Sequence, residues 1–243
     1  MGQLDGKVAI VTGGGSGIGK GIARAFAEEG CCVVVASRNA DRLNVAAREL
    51  GEAGSQIMAV PTDVTVEAQV IALFRRTLDR FGRLDLLVNS TGAFDGGPID
   101  QLSLEAWNRV IGANLTGPFL CTREAFRIMK EAGGGRIINI GSISAQRTRV
   151  NMAPYTASKF GIWGLTQATA LEGRDFGIAA SCLHPGNTLV ERRVSSSLAE
   201  DAEPMIAVED IARTALLMAT LPPEANLLEA IVLPVTQKYI GRG

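Results

Sequence analysis

Short, mainly apolar runs alternate with longer amphipathic stretches along the whole chain, and that alternation leaves few folds open. The apolar runs are Lys7 to Val11, Cys32 to Ala36, Ile57 to Val60, Leu84 to Val88, Ile137 to Ile140, Ile178 to Leu183 and Leu228 to Val235. Between them lie stretches of helical period: Gly17 to Glu29, Asp41 to Ala53, Val66 to Arg80, Leu104 to Lys130, Ala153 to Asp175 and Val208 to Thr220. In the second of these, Leu43, Ala46, Ala47 and Leu50 share one face. A strand that reads as a nearly continuous apolar run, without polar alternation, is buried on both sides. A helix after each such strand implies a parallel sheet with helices on both faces. The reading is therefore an α/β fold: a single doubly wound domain over residues 1–243, with a mainly parallel sheet of about seven strands. Gly117-Pro118 predicts a bend inside the longest helical stretch.

Composition narrows the function. With 243 residues and 47 % hydrophobic content, one domain buries a sizeable core. A net charge of −1 gives no bulk attraction to nucleic acid or to an anionic membrane. Cys31, Cys32, Cys121 and Cys182 form no C-x-x-C, so they read as buried thiols in a reducing compartment. The opening residues Met1 to Asp5 form no basic-then-apolar leader, and no apolar run reaches the length of a membrane span. The expected location is cytoplasmic.

Two local patterns carry chemistry. The first apolar run ends in Thr12-Gly13-Gly14-Gly15-Ser16-Gly17-Ile18-Gly19. Glycines let a backbone approach a pyrophosphate, and the helix that follows points free N–H groups and a positive dipole end at that anion. The spacing is T-G-x-x-x-G-x-G. It fits neither the strict G-x-G-x-x-G fingerprint nor a P-loop, which needs a lysine followed by Ser or Thr. The second pattern is Tyr155-Thr156-Ala157-Ser158-Lys159. Positions i and i+4 share a helix face, so a phenol and an ammonium point into the same space. A cation beside a phenol favours the phenolate, which suits proton exchange with a carbonyl oxygen.

From these and further motifs the chain resembles the classical short-chain dehydrogenase/reductase family from Lys7 to about Val235. Gly13, Gly17 and Gly19 match its cofactor turn, with Ser16 and Ile18 expected near the phosphates. Asp63-Val64 matches the adenine-contacting position. Asn89-Ser90-Thr91-Gly92 matches the N-N-A-G motif, with Asn89 and Gly92 retained. Asn114, Ser142, Tyr155 and Lys159 match the catalytic tetrad, and Pro185-Gly186 with Thr188 matches the P-G motif beside the nicotinamide. Cys182 stands where many members carry Asn, and the chain ends without the common V-D-G-G.

The resemblance implies a Rossmann-type oxidoreductase. In it Ser142 holds the substrate oxygen, Tyr155 exchanges the proton, Lys159 binds the nicotinamide ribose, and Asn114 fixes a relay water. It also implies a small carbonyl or secondary-alcohol substrate, similar to that of 3-oxoacyl-carrier-protein reductases, and a homotetramer paired through the helices at 104–130 and 153–175. An NAD(H)-linked alcohol or sugar dehydrogenase is the alternative enzyme. A non-catalytic dinucleotide sensor is the alternative of another class, and the complete tetrad argues against it.

The second strand ends in Ala36-Ser37-Arg38-Asn39, with no acid to bind a ribose 2′-hydroxyl. Arg38 and Ser37 there suit a 2′-phosphate, so NADP(H) is expected over NAD(H). Asp41 is read as opening the next helix. His184, the only histidine, builds no metal site or Ser-His-Asp triad alone and reads as structural or cofactor-adjacent. Trp107 and Trp163 read as packing residues. Arg192, Arg193 and Ser195 to Ser197 fall in the family's substrate-closing segment and read as a mobile exposed loop, with an anionic substrate as the alternative that Arg147 and Arg149 also raise.

Overall fold

The computed structural model describes residues 2–51, 56–194 and 203–238. Ala53 and Ser195 to Ser197 lie outside them. Seven strands form one sheet: β1 (Val8–Thr12), β2 (Cys32–Ser37), β3 (Ile57–Pro61), β4 (Leu86–Asn89), β5 (Gly135–Ile140), β6 (Ile178–Pro185) and β7 (Glu229–Val232). Their order is β3-β2-β1-β4-β5-β6-β7, and each neighbouring pair is parallel. The helices are α1 (Gly17–Glu28), α2 (Ala40–Gly51), α3 (Glu67–Phe81), α4 (Leu104–Ile111), α5 (Gly117–Ala132), α6 (Ala153–Gly173), α7 (Glu191–Val194) and α8 (Val208–Thr220).

The apolar strands serve two cores at once. Ala9 and Val11 of β1 and Val33 and Val35 of β2 face one core, where Ile22 and Phe26 of α1, Leu43 of α2 and Met218 of α8 meet them. Ile10 and Val34, the residues between, face the other core with Leu73 and Phe74 of α3 and Leu120 and Met129 of α5. Successive strand side chains point to opposite faces, so a strand buried twice is apolar along most of its length, and buried polar residues such as Asn89 and Asn139 stand toward the strands' carboxyl ends.

Several expected boundaries shift, most for a local reason. The fourth strand begins at Leu86, not Leu84. Arg83 pairs with Asp85 at 2.6 Å, and Asp85 accepts the Val8 N–H at 2.9 Å, so this stretch ties off the strand's entry. The last strand ends at Val232, two residues before Pro234, which has no N–H for a ladder. The long helical stretch does not simply bend at Gly117-Pro118. A π-helical turn, Gly112–Thr116, separates α4 from α5, with the Gly117 N–H reaching the Gly112 carbonyl. Pro118 cannot donate to the Asn114 carbonyl four residues back, so the regular ladder is broken there. The helix expected to reach Asp175 ends at Gly173 and continues as one 3₁₀ turn, Arg174–Phe176.

Candidate active site

At the carboxyl ends of the central strands a cleft of about 1410 Å³ runs from the glycine turn to α6. The sheet's strand order reverses between β1 and β4, the place where open α/β sheets leave a crevice. Thr12 stitches that seam: its Oγ accepts the Ser90 N–H at 3.1 Å and the Thr91 N–H at 3.4 Å.

The glycine turn forms one wall, and Gly13, Ser16, Gly17, Ile18 and Gly19 all line it. Gly13 has φ +68°, and a Cβ there would lie 2.6 Å from the Ser90 carbonyl oxygen. Only glycine fits both conditions. A Cβ on Gly19 would lie 2.5 Å from the Gly13 carbonyl oxygen, so α1 packs directly on the turn. An anion already occupies the start of α1: the Glu191 carboxylate accepts the Gly17 N–H at 2.9 Å. The positive end of the helix dipole favours such a charge, and a pyrophosphate oxygen suits the same donor.

Farther along that wall, Ser37 and Arg38 line the cleft with Asn39 and Arg42. Arg42 lies one helical turn past Arg38, a spacing legible in the sequence but not drawn on there. Asn39, not Asp41, caps α2, its Oδ1 accepting the Arg42 N–H at 2.8 Å; Asp41 sits in the helix's first turn. Asp63 and Val64 line the cleft after β3, and the Asp63 carboxylate accepts from the Thr65 N–H at 2.9 Å and hydroxyl at 2.7 Å.

The opposite end holds Ser142, Tyr155 and Lys159 together on the cleft wall. Lys159 is buried, donates to the Ile140 carbonyl at 2.8 Å, and lies 5.6 Å from the centre of the Tyr155 ring. Ser142 caps a short 3₁₀ turn, Ile143–Ala145, its Oγ accepting the Ser144 N–H at 3.1 Å. That bond uses a lone pair and leaves the hydroxyl proton for another acceptor. Phe94 packs on Tyr155 with ring centres 4.5 Å apart. Its position two residues beyond Gly92 gave no sequence signal of this contact.

Two expected site residues stand behind the wall. Asn89 does not line the cleft: its side chain is buried, donating to Asn139 at 2.8 Å and Thr122 at 3.2 Å. Its expected place among the cofactor contacts is corrected to a polar tie beneath them, since an amide at a strand's inner end must find partners there. Asn114 is 1 % exposed. It sits in the π-helical turn, accepts the Ala93 N–H at 2.6 Å, and donates to the Ala93 carbonyl at 3.0 Å and Ser158 at 3.2 Å. Its amide thus fixes the loop that carries Gly92 and Phe94.

Pro185, Gly186 and Thr188 line the cleft beyond β6, the Thr188 hydroxyl donating to the Gly186 carbonyl at 3.1 Å. Arg149 pairs with Glu203 at 3.0 Å, and Asn187 donates to the same carboxylate at 2.7 Å, which joins the two sides of the outer cleft. His184 is fully buried behind Ser142, and burial holds its pKa below the usual imidazole range. Burial pushes the Cys31, Cys121 and Cys182 thiols up to about 12, which disqualifies them as nucleophiles near neutral pH. Among the described residues no group of three or more His, Cys, Asp or Glu could hold a metal ion, and no helix is long and apolar enough to cross a membrane.

The family model for short chain dehydrogenase matches residues 7–201. A putative ketoacyl reductase of Streptomyces coelicolor is 39 % identical over 202 residues, 82 % of this chain and 77 % of the relative. A metagenomic short-chain oxidoreductase solved in complex with NADP is similar, with TM-score 0.85 and 32 % identity, covering 97 % of this chain and 100 % of that one. A variant of actinorhodin polyketide ketoreductase with NADPH has TM-score 0.87 and 31 % identity, covering 95 % and 97 %. With a match across most of its length and this cleft at its switch point, the chain belongs to the short-chain dehydrogenase/reductase family and is an enzyme acting on the alcohol–carbonyl pair with a nicotinamide dinucleotide.

Proposed function

We propose that the protein is an NADP(H)-dependent oxidoreductase of a small carbonyl or secondary alcohol, similar in substrate chemistry to a 3-oxoacyl reductase. The observation that carries this reading is one continuous cleft with a glycine turn at one end and Ser142, Tyr155 and Lys159 at the other. The residues fit a dinucleotide. The start of α1 already draws a carboxylate onto the Gly17 N–H. Two arginines, Arg38 and Arg42, stand with Ser37 where β2 ends, suited to a 2′-phosphate. The NADP and NADPH bound by the similar structures support the same choice.

When bound, the nicotinamide supplies the hydride acceptor or donor. The chain's residues handle the oxygen and its proton. The Ser142 hydroxyl, its lone pair held by the Ser144 N–H, donates toward the substrate oxygen. The Tyr155 phenol gives that oxygen a proton in reduction and takes it back in oxidation. Lys159, anchored on the Ile140 carbonyl, presents its remaining N–H bonds toward the cofactor ribose. Asn114 acts at one remove by fixing the loop at Ala93.

Exposed Phe119 on α5 and Phe160 and Leu171 on α6 support assembly through these helices as a homotetramer, which light scattering on the eluting protein would test. The functional reading is tested by following reduced-nicotinamide absorbance with a panel of 3-oxo esters, ketones and secondary alcohols, with each dinucleotide. NADPH-driven reduction of a 3-oxo ester is expected. Turnover with NADH alone, or dinucleotide binding without turnover of any member, would overturn the reading.

A further inference from the structure

The chain's one histidine stands directly behind Ser142. His184, the residue before Pro185 on β6, is fully buried, and its Nδ1 lies 2.8 Å from the Ser142 carbonyl oxygen. The Ser142 N–H also lies 3.2 Å from Nδ1 and could donate only to a bare nitrogen. The closer carbonyl oxygen repels a bare nitrogen more strongly, so the shorter contact favours the proton on Nδ1. The other nitrogen is consistent with that. Nε2 is buried with no hydrogen-bond partner among the described residues, and Glu229 Oε1, which accepts the Gln146 N–H at 2.8 Å, lies 3.4 Å from it, beyond a good hydrogen bond. An imidazole with its proton on Nδ1 accounts for the shorter contact and the orphaned nitrogen, and gives up the longer one from the Ser142 N–H.

The surroundings hold the ring in this pose. Gly141 makes room: a Cβ there would lie 2.4 Å from Nδ1 and 2.7 Å from Cε1. Trp163 of α6 meets the imidazole edge to face at 5.9 Å. The Gly141 N–H donates to the Leu183 carbonyl at 2.7 Å, so the backbones of β5 and β6 are locked immediately beside the contact. Ser142 itself is in extended backbone, φ −172° and ψ 158°, at the point where β5 turns into the 3₁₀ turn. Its hydroxyl direction depends on where that peptide is held.

We propose that His184 is a positioning residue for Ser142. It donates from Nδ1 to the Ser142 carbonyl and so sets the direction in which the Ser142 hydroxyl meets the substrate oxygen. The proposal rests on the carbonyl-reduction reading for its kinetic consequence, but not for its tautomer. A buried aromatic that merely fills space would need neither a particular proton nor a carbonyl partner.

Because the chain has a single histidine, the test is direct. Long-range proton–nitrogen correlation spectra of the full chain labelled with ¹⁵N-histidine report which nitrogen carries the proton. The expected result near neutral pH is the Nδ1-protonated neutral ring. A neutral ring protonated on Nε2 overturns the proposal. In parallel, NADPH-driven reduction of ethyl acetoacetate is compared in wild type, His184→Phe and His184→Asn. Misplacing a reacting group by about an ångström costs up to roughly a hundredfold, so His184→Phe is expected to lose about ten- to a hundredfold in kcat with KM and NADPH affinity within about twofold. His184→Asn, whose amide nitrogen stands near the Nδ1 position, is expected to recover most of that loss. Unchanged kcat in His184→Phe, or a loss not recovered by His184→Asn in a folded protein, overturns it. If His184→Phe does not fold, the tautomer and the His184→Asn rates decide. A wild type silent on the ester counts against the carbonyl-reductase reading, while the brace stands or falls on the tautomer.

Discussion

The two ends of the cleft are built by opposite means. At the inner end, Ser142, Lys159 and Asn114 are buried, and each is fastened to backbone: to the Ser144 N–H, the Ile140 carbonyl and both polar groups of Ala93. At the outer end, Arg38 and Arg42 are exposed side chains on the rim, and Glu191 is an exposed carboxylate laid across the start of α1. Buried bonds to backbone fix a direction, and misdirection costs rate. Exposed charges select a ligand by its charge, and their loss costs affinity. Substitutions at the inner end are thus expected to appear in kcat, and those at the rim in dinucleotide affinity.

The sharpest break in this contrast is Tyr155→Phe. A general acid contributes about 100- to 10,000-fold, so kcat is expected to fall by that factor while NADPH affinity, measured by fluorescence titration, stays nearly constant. Turnover close to wild type would remove Tyr155 as the acid. At the rim, a hydrogen bond to a charged group is worth about 1.5–3 kcal/mol, so Arg38→Ala is expected to weaken NADPH roughly ten- to a hundredfold. NADH affinity and kcat at saturation should hold, and an equal loss for both dinucleotides would break the assignment of the 2′-phosphate side.

Glu191→Ala should act in the other direction. A charge at a helix N-terminus is worth about 0.3–1 kcal/mol, so removing this competitor is expected to tighten NADPH by roughly two- to fivefold, read by the same titration. Weaker binding would mean that the carboxylate organises the turn instead of competing for it. The smallest effect is in stability. Burial holds the His184 pKa low, so the unfolded chain takes up the proton first as acid is added. This contribution is full above about pH 6.5, the unfolded value, and is lost as pH falls from there through the folded value. Denaturant midpoints at pH 7 and pH 5 should differ less in His184→Asn than in wild type.

The fold was largely legible because strand burial on both faces leaves an unbroken apolar signature, as in Val33, Val34 and Val35. The inner end of the cleft was legible where residues are neighbours along a helix, as Tyr155 and Lys159 are. Asn89 misled because a motif position states which residue is present, and its buried amide turned to Asn139 and Thr122. The π-helical turn left only the hint of Gly117-Pro118, since local periodicity does not register one extra residue in a turn. Glu191, Phe94 and Glu229 were invisible for another reason. Each acts across the tertiary structure, Glu191 reaching a residue 174 positions earlier, and no local pattern encodes such a meeting.

The stitch made by Thr12 has a consequence for how the enzyme comes into being. The residues it joins are 78 positions apart, because parallel strands cannot pair through a tight turn. Contacts of such separation form late and slowly. During synthesis the glycine turn therefore emerges long before the peptide that closes over it. Until β4 has been delivered and docked, the nascent chain holds half a crevice, with the competence to grip a coenzyme arriving only as the central seam of the sheet shuts.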